Sequence, residues 1–404
     1  MKQTIGIIGG GASGLVAAYF ASHNNNNSVH IFEKQNKIGR KVAASGNGRC
    51  NLTNMNMGSE HYHGDKTFVA AVLGAFSLDD TIQFFETIGI VTTTLENGKV
   101  YPASLQATTV VRILEHELSH NNVTIHLSRK IESIKPVASG FKVTTAGKEE
   151  HFFHKIILAC GSCAYSPLGA SKDGYDLARM MGHTVVEPFP AILPVTITNK
   201  PLHTLQGIRW DCTLSVVIDN SVVQQVTDEV LFTAYGISGP AALSIARTVN
   251  HALLLGKAVT IQCNIFPYYA YDDVRNKLMR LLSQPDKSLE FALYGIMNNA
   301  MPKVFLSIAG IEYTLPAAAY INNIDAIINA FTHATLHPGA VRPFTEAVVA
   351  AGGVATDEVD PTTMQSKLVP GLFITGELLN IDGNSGGYNL QFAWSTGAIA
   401  GKHC

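Results

Sequence analysis

The stretch Gln3-Thr4-Ile5-Gly6-Ile7-Ile8-Gly9-Gly10-Gly11-Ala12-Ser13-Gly14, closed by Val29-His30-Ile31-Phe32-Glu33, decides the fold. Residues 3–8 read as a short buried strand and Leu15–Ser22 as a helix of small and apolar residues. A polar loop with four consecutive asparagines follows, and Val29–Phe32 reads as a second strand. The whole has the size of a β-α-β unit. Within it, residues 9–14 fit G-x-G-x-x-G. Gly9 permits a tight turn, Gly11 lets the backbone approach a pyrophosphate, and Gly14 lets the helix pack closely on the strand. The helix start offers free N–H groups and a partial positive charge to phosphate. Glu33 stands 19 residues beyond Gly14, near the spacing of about 20 at which an acid meets ribose hydroxyls and repels a 2′-phosphate. The reading is an ADP-binding Rossmann unit that disfavours NADP.

The 404 residues imply two or three domains. With 46% hydrophobic and 15% charged residues the chain is globular, and a net charge of -2 leaves no basic excess for a phosphate backbone, so no nucleic acid is expected. Six scattered cysteines do not make a disulfide framework and fit a reducing cytoplasm. The glycines at 9–14 interrupt what could pass for a signal sequence, and no run of about 18–20 apolar residues suggests a membrane span.

The fingerprint does not separate NAD from FAD; three other regions do. First, Gly39-Arg40-Lys41 and Ser45-Gly46-Asn47-Gly48-Arg49-Cys50-Asn51 supply glycines for unusual backbone angles, with cations and amides as donors to phosphate or flavin oxygens. Second, Thr375-Gly376-Glu377 leads through Asp382-Gly383-Asn384-Ser385-Gly386-Gly387-Tyr388-Asn389-Leu390 into another helix, a second positive helix start suited to the ring that gains negative charge on reduction. Third, a strand ends in Ala159-Cys160-Gly161, with Asp173 shortly after. The residues expected at an FAD are therefore Gly9, Gly11, Ala12, Ser13, Gly14, Glu33 and Lys34; Arg40, Lys41, Ser45, Gly46, Gly48, Arg49, Cys50 and Asn51; Ala159, Cys160, Gly161 and Asp173; and Gly376, Glu377, Asp382, Gly386, Gly387, Asn389 and Leu390.

The segments GIIGGGASGL, GRKVAASGNGRCNLTN, ACGS, LFTAYGISGPAAL and TGELLNIDGNSGGYNLQFAWSTGAIAG resemble, over nearly the whole chain, the BaiN/YhiN-like family of FAD flavoproteins, which includes aminoacetone oxidases and NAD(P)/FAD-dependent oxidoreductases. The resemblance implies an α/β fold: a glutathione-reductase-like FAD-binding Rossmann domain interrupted by an inserted β-barrel plus helical domain. Two positions depart from the family pattern. Ala234 and Tyr235 follow Thr233 where a histidine is usual, and Lys99 stands where an arginine is usual.

Boundaries read along the chain place the FAD-binding domain at 1–190 and 340–404 and the inserted substrate domain at 191–339. Residues 34–64 read as a long ordered loop, 67–90 and 106–120 as helical, 195–265 as antiparallel strands, 271–300 and 322–336 as helical, Glu346–Ala351 as a strand and Leu390–Ala400 as a helix. Catalytic side chains are not fixed by any motif; Tyr388 and Cys50 are the candidates, with Tyr235 read as a packed aromatic. Cys160 and Cys163 have C-x-x-C spacing, against which stands the reading of small buried residues. No metal-ligand spacing is present. The expected activity is hydride transfer through flavin to or from a small organic substrate, either C=C reduction or amine oxidation. Electrons would come from NAD(P)H bound transiently or from another donor. A flavin-bearing RNA-modification or binding protein is the alternative.

Overall fold

Strand β1 (Gln3–Ile8) alternates too little to be half-exposed: Ile5, Ile7 and Ile8 are all buried, as in a sheet covered on both faces. In the computed structural model, which describes residues 2–95, 97–284 and 286–404, β1 is the central strand of a five-stranded parallel sheet. The order is Leu372–Ile374, Lys155–Leu158, β1, β2 (Asn27–Phe32), Thr124–His126. Helix α1 (Ala12–Ser22) connects β1 to β2. The last helix, Tyr388–His403, lies along α1 so closely that a Cβ on Gly397 or Gly401 would stand 2.4 Å from the carbonyl oxygen of Ser13 or Ala17. Glycine at these two positions is thus a packing requirement between the first and last helices.

The chain divides into two compact units, residues 1–189 with 344–404, and residues 190–343. In the second unit, six antiparallel strands run in the order Val195–Thr196, Gly236–Ser238, Ser221–Thr233, Arg209–Ile218, Val259–Asn264, Ala334–Leu336. The outer strands meet: Ile197 bridges Pro338, Thr198 N–H donates to His337 O at 2.8 Å, and Gly339 N–H donates to Thr196 O at 2.8 Å. The sheet thus closes into a barrel, although residues 221–230 pair on one side only. Helix Gly239–Leu254 packs on it, and shorter helices (Tyr271–Leu282, Met301–Ile308, Ile324–Thr332) make the helical part.

Several sequence expectations need correction. Residues 34–64 are not a loop throughout: Arg40–Gly48 is helical up to a break at Ser45, and short strands occupy Thr53–Asn54 and Tyr62–Gly64. The helical reading of 322–336 runs too far, because Ala334–Leu336 pairs with Val259–Asn264. The region 271–300 is broken, holding Tyr271–Leu282 and the short Leu289–Leu293. The strand read at Glu346–Ala351 lies at Val349–Val354, extended through Gly352 and Gly353. No single described helix is long and apolar enough to cross a membrane, although Lys66–Ala75 and Leu78–Thr87, bent by 41°, reach that length together.

One polar cluster lies against the edge of the parallel sheet. His30 Nδ1 is 3.2 Å from His126 Nε2, and His126 stacks on Phe32 with ring centroids 4.5 Å apart. Burial, together with the neighbouring histidines, holds His30 and His126 below the ordinary imidazole value.

Candidate functional site

The glycines of the fingerprint separate into two kinds. A Cβ on Gly9, at φ 113°, would stand 2.3 Å from Ala159 O, and one on Gly14 would stand 2.0 Å from Gly9 O. These two are demanded by the protein's own packing. Gly11 is not: nothing lies within 4 Å of its missing Cβ, and its backbone (φ -87°, ψ -168°) suits any residue. A ligand approaching this point gives a reason for glycine that the protein alone does not. No side chain caps α1, and no acid sits in its first turn, where Ala12 and Ser13 begin the helix.

Glu33 closes β2 and points back at this turn. Its carboxylate accepts from Gly10 N–H at 2.9 Å and Gln35 N–H at 2.8 Å. Lys34 donates to Asp173 at 2.9 Å and to Ser171, and Lys130 donates to the other Asp173 oxygen at 2.9 Å. Burial opposes the charge on Asp173, but the hydrogen bonds from Lys130, Ser171 and Lys34 outweigh it and hold the carboxyl well below the usual range. Beside them opens a cleft of about 230 Å³ lined by Lys34, Ser128, Arg129, Lys130, Thr145, Ala146, Gly147 and Glu149. Residues 128–130 escaped the sequence reading. Their signal is positional: they follow the outer parallel strand, and Ser128 and Arg129 N–H groups donate to Gln35 and Glu33 carbonyls.

The segment after α2 begins (Arg40–Gly48) is a run of left-handed backbone. Gly46, Asn47, Gly48 and Cys50 have φ of 56°, 54°, 80° and 60°. A non-glycine residue held there costs about 1 kcal/mol or more and is kept where a function uses it. The run is interrupted at Arg49 (φ -99°), whose N–H donates to Gly46 O at 3.1 Å, and Cys50 N–H donates to Ser45 O at 3.0 Å, so the turn is closed partly on itself. Residues 46–49 are exposed, whereas Cys50 is fully buried. Asn51 is also buried, and its Oδ1 has no hydrogen-bond partner among the described residues. Arg40 donates to Gln35 and Ser45 Oγ to Val42 O, so both brace the turn itself.

Two further strand ends converge on α1. Gly376 N–H donates to Thr396 Oγ1 at 2.9 Å, and a Cβ on Gly376 would stand 2.7 Å from Ser13 Oγ. Glu377 pairs with Lys41 at 2.6 Å, which ties the Thr375-Gly376-Glu377 turn to α2. On the neighbouring strand, Ala159 and Gly161 line the turn, while Cys160 Sγ contacts Ile8 O at 3.4 Å and is spent inside the sheet. Burial pushes the Cys160 thiol up to about 12 and raises that of Cys163; all six cysteines are free. Thiolate is therefore scarce in the C-x-x-C pair, which fits small buried residues better than a redox dithiol.

The C-terminal glycine motif is wired to the GRCNLTN segment. Gly386 (φ 131°) accepts through its carbonyl from Asn54 Nδ2 at 2.9 Å, and Gly387 (φ 102°) sits where a Cβ would strike Thr53 O at 2.6 Å. Thr53 Oγ1 donates to Gln391 Oε1 at 2.6 Å, and Gln391 Nε2 donates to Thr81 Oγ1 and Ser395 Oγ. Trp394 Nε1 donates to Leu52 O at 3.0 Å. Asn389 clamps the loop by bonding both the N–H and the carbonyl of Gly383, Leu390 is half-buried one residue on, and Asp382 is buried in the strand Ile381–Gly383. Tyr62 OH donates to Tyr388 O at 2.8 Å, and the Tyr388 ring stacks on His61.

These residues fit an extended dinucleotide with a flavin end. Two helix starts carry no side-chain cap and could take anionic or electron-rich groups, the Gly11 approach is open, and the buried Asn51 amide oxygen has no partner among the described residues. Among the described residues no group of side chains could hold a metal ion.

Fold and site define an FAD-dependent oxidoreductase with a glutathione-reductase-like cofactor domain. The chain belongs to the HI0933-like family: residues 3–403 match the HI0933-like protein Rossmann domain. It is 37% identical over 402 residues to a 3-dehydro-bile acid delta(4,6)-reductase of Clostridium scindens, covering 98% of each chain. It is 28% identical over 397 residues to a ribosomal RNA dihydrouridine synthase of Haemophilus influenzae, covering 96% of this chain and 95% of that one. The crystal structure of 3-ketosteroid delta1-dehydrogenase from Sterolibacterium denitrificans shares the fold, with a TM-score of 0.54 at 12% identity over 100% of this chain and 99% of that one.

Proposed function

We propose that this chain is an FAD-dependent reductase of carbon–carbon double bonds conjugated to a carbonyl, acting on steroid-like small molecules, with NAD(P)H as a transient electron donor. The observation that carries the reading is the full-length likeness to the bile-acid reductase. When bound, the flavin supplies hydride transfer, which the protein orients and tunes. Gly11 and the start of α1 hold the pyrophosphate, and Glu33 holds the ribose hydroxyls, with the adenine end in the cleft beside Lys34 and Arg129. The start of helix Tyr388–His403 would favour negative charge on the ring. The Tyr388 phenol is held up by burial, and by the charge of Glu60, so it stays protonated at neutral pH and is the candidate proton donor. Cys50, pushed up to about 12 by burial, remains a thiol and packs rather than reacts. Free cysteines throughout suit a cytoplasmic setting.

The RNA-directed reading draws on the dihydrouridine synthase relative. Dihydrouridine formation also saturates a double bond conjugated to a carbonyl, so the two readings share their chemistry and differ in substrate size. Anaerobic stopped-flow separates them. NADH or NADPH should bleach the bound flavin, and a steroid enone should restore its colour faster than a uridine-containing RNA. A colourless protein would remove the reading. Reduction by amines with reoxidation by O₂ alone would replace it with amine oxidation.

A further inference from the structure

The strand Ser221–Thr233 of the barrel unit has a long side with no strand beside it. It pairs with Arg209–Ile218 on one side, but on the other it meets only Gly236–Ser238, through Leu231, Phe232 and Thr233. Phe232 bonds towards the first side: its N–H donates to Ile208 O at 2.9 Å and its carbonyl accepts from Gly207 N–H at 3.0 Å. Backbone groups alternate sides along a strand, so Gln225, Thr227 and Glu229 turn theirs to the open edge. Glu229 N–H takes the Asp228 carboxylate at 2.7 Å, a side chain standing in for a strand. Gln225 and Thr227 are exposed, and their side chains are already tied back, to Ser215 at 2.8 Å and to Thr213 at 2.7 Å. What the edge offers a partner is therefore backbone. Residues 221–230 hold no proline or lysine, the usual guards of such an edge.

An aliphatic corner continues this edge. Val216 pairs with Gln224 and Val217 with Val222, which leaves Val223 as a bulge. Helix Gly239–Leu254 runs back along the strand, because Gln224 bonds Ser244 O at 3.1 Å and Thr248 Oγ1 at 2.5 Å. The turn after that helix returns to the hairpin tip: Asp219 N–H donates to Ala258 O at 3.3 Å, and Ile218 pairs with Val259. Leu254 and Leu255, 57% and 60% exposed, thus stand at the same end as Val222 and Val223, 57% and 51% exposed. Four aliphatic side chains gathered at the end of an unpaired strand mark an interface.

We infer that this edge and corner join two copies of the chain, their strands antiparallel across a two-fold axis near Gln224. A strand edge is complementary to its own copy under that symmetry. An axis there brings the two aliphatic corners together and keeps each strand clear of the partner's Gly236–Ser238. Charge selects the antiparallel sense. Residues 221–227 carry no charge, so the paired segment sets no like charges opposite each other, whereas a parallel pairing would stack Asp228 and Glu229 on their own copies.

Sedimentation equilibrium of the flavin-loaded protein over a range of concentrations tests it. A species of twice the chain mass is expected, dissociating on dilution. Thr227→Pro removes an edge-facing N–H and spares the pairing with Arg209–Ile218; Val223→Lys sets a charge in the bulge. Each should weaken the dimer about tenfold or more and leave the bound flavin in place. Should Thr227→Pro fail to fold, Val223→Lys and the double exchange of Leu254 and Leu255 to serine still read the same surface. Hydrogen exchange should protect the backbone of residues 221–229 in concentrated over dilute protein. A monomer at every concentration overturns the inference, as does a dimer indifferent to these substitutions or protected elsewhere. So does an assembly that grows past two copies, or a monomer whose edge is protected only by an added extended peptide of another sequence.

Discussion

The two glycine-rich helix starts, at α1 and at Tyr388, look alike in sequence and are built differently. The α1 start is built mainly of backbone, braced by the Glu33 carboxylate on Gly10 N–H: Gly9 and Gly14 fit because nothing else can, and Gly11 leaves a gap. The Tyr388 start is held by side chains, with Gln391 joining Thr53, Thr81 and Ser395, and Asn389 clamping Gly383. A backbone device needs only spacing and can recur in unrelated proteins. A side-chain device needs its distant partners and so marks one family.

Substitutions can break this contrast, and the largest effect belongs to Gly14→Ala. Its Cβ would stand 2.0 Å from the Gly9 carbonyl oxygen and 3.2 Å from Ala159 Cβ, so a loss of about 3 kcal/mol or more is expected in chemical denaturation. A loss below about 1 kcal/mol would show that the α1 turn has more slack than its geometry allows. Gln391→Leu comes next. It leaves the Thr53 hydroxyl without its acceptor in the core and removes a donor from Thr81 and Ser395, which still bond Ser77 O and Phe76 O, for about 1–3 kcal/mol; an unchanged denaturation midpoint would mean that the network is decorative.

A smaller effect is a pH dependence at the sheet edge. His30 and His126 have imidazole values lowered in the folded state, so the unfolded chain binds protons first. Their contribution is complete above the unfolded value of about 6.5 and drains away as pH falls through the lower folded values. Thermal melting from neutral to mildly acidic pH should show a falling limb that His126→Phe flattens; an unaltered limb would put the titration elsewhere. The smallest effect on stability sharpens the contrast most. Gly11→Ser meets no atom and places a favoured residue at the helix cap, so the apoprotein should melt within a few degrees of the parent. Flavin retained through gel filtration should nevertheless fall steeply, and a fully yellow variant would remove the ligand explanation for Gly11.

The α1 half of this comparison was legible in the sequence because its constraints are local: a strand, three glycines and an acid at fixed spacing. The Tyr388 half was legible as a second glycine-rich helix start, but its side-chain wiring was not. Thr53 and Thr81, which bond Gln391, and Leu52, which bonds Trp394, lie more than 300 residues away along the chain, and no periodicity reports such a distance. The helical turn at Arg40–Ala44 was hidden by its flanking glycines and asparagines, which read as loop. The left-handed run beyond it was visible only as composition. Arg129 and Lys130 were invisible because their place beside Glu33 depends on which strand borders β2.

The seam between α1 and the last helix, with Gly397 and Gly401 against Ser13 and Ala17, also sets an order in time. The first β-α-β unit leaves the ribosome well before the helix that covers it, which is made only after the whole barrel unit. Contacts of such long sequence separation form late. Until then, the apolar side of α1 is exposed to whatever else is in the cell. The barrel, whose pairings all lie within residues 190–343, can finish folding meanwhile, so newly made chains should pass through a stage with a complete insert and an open cofactor domain.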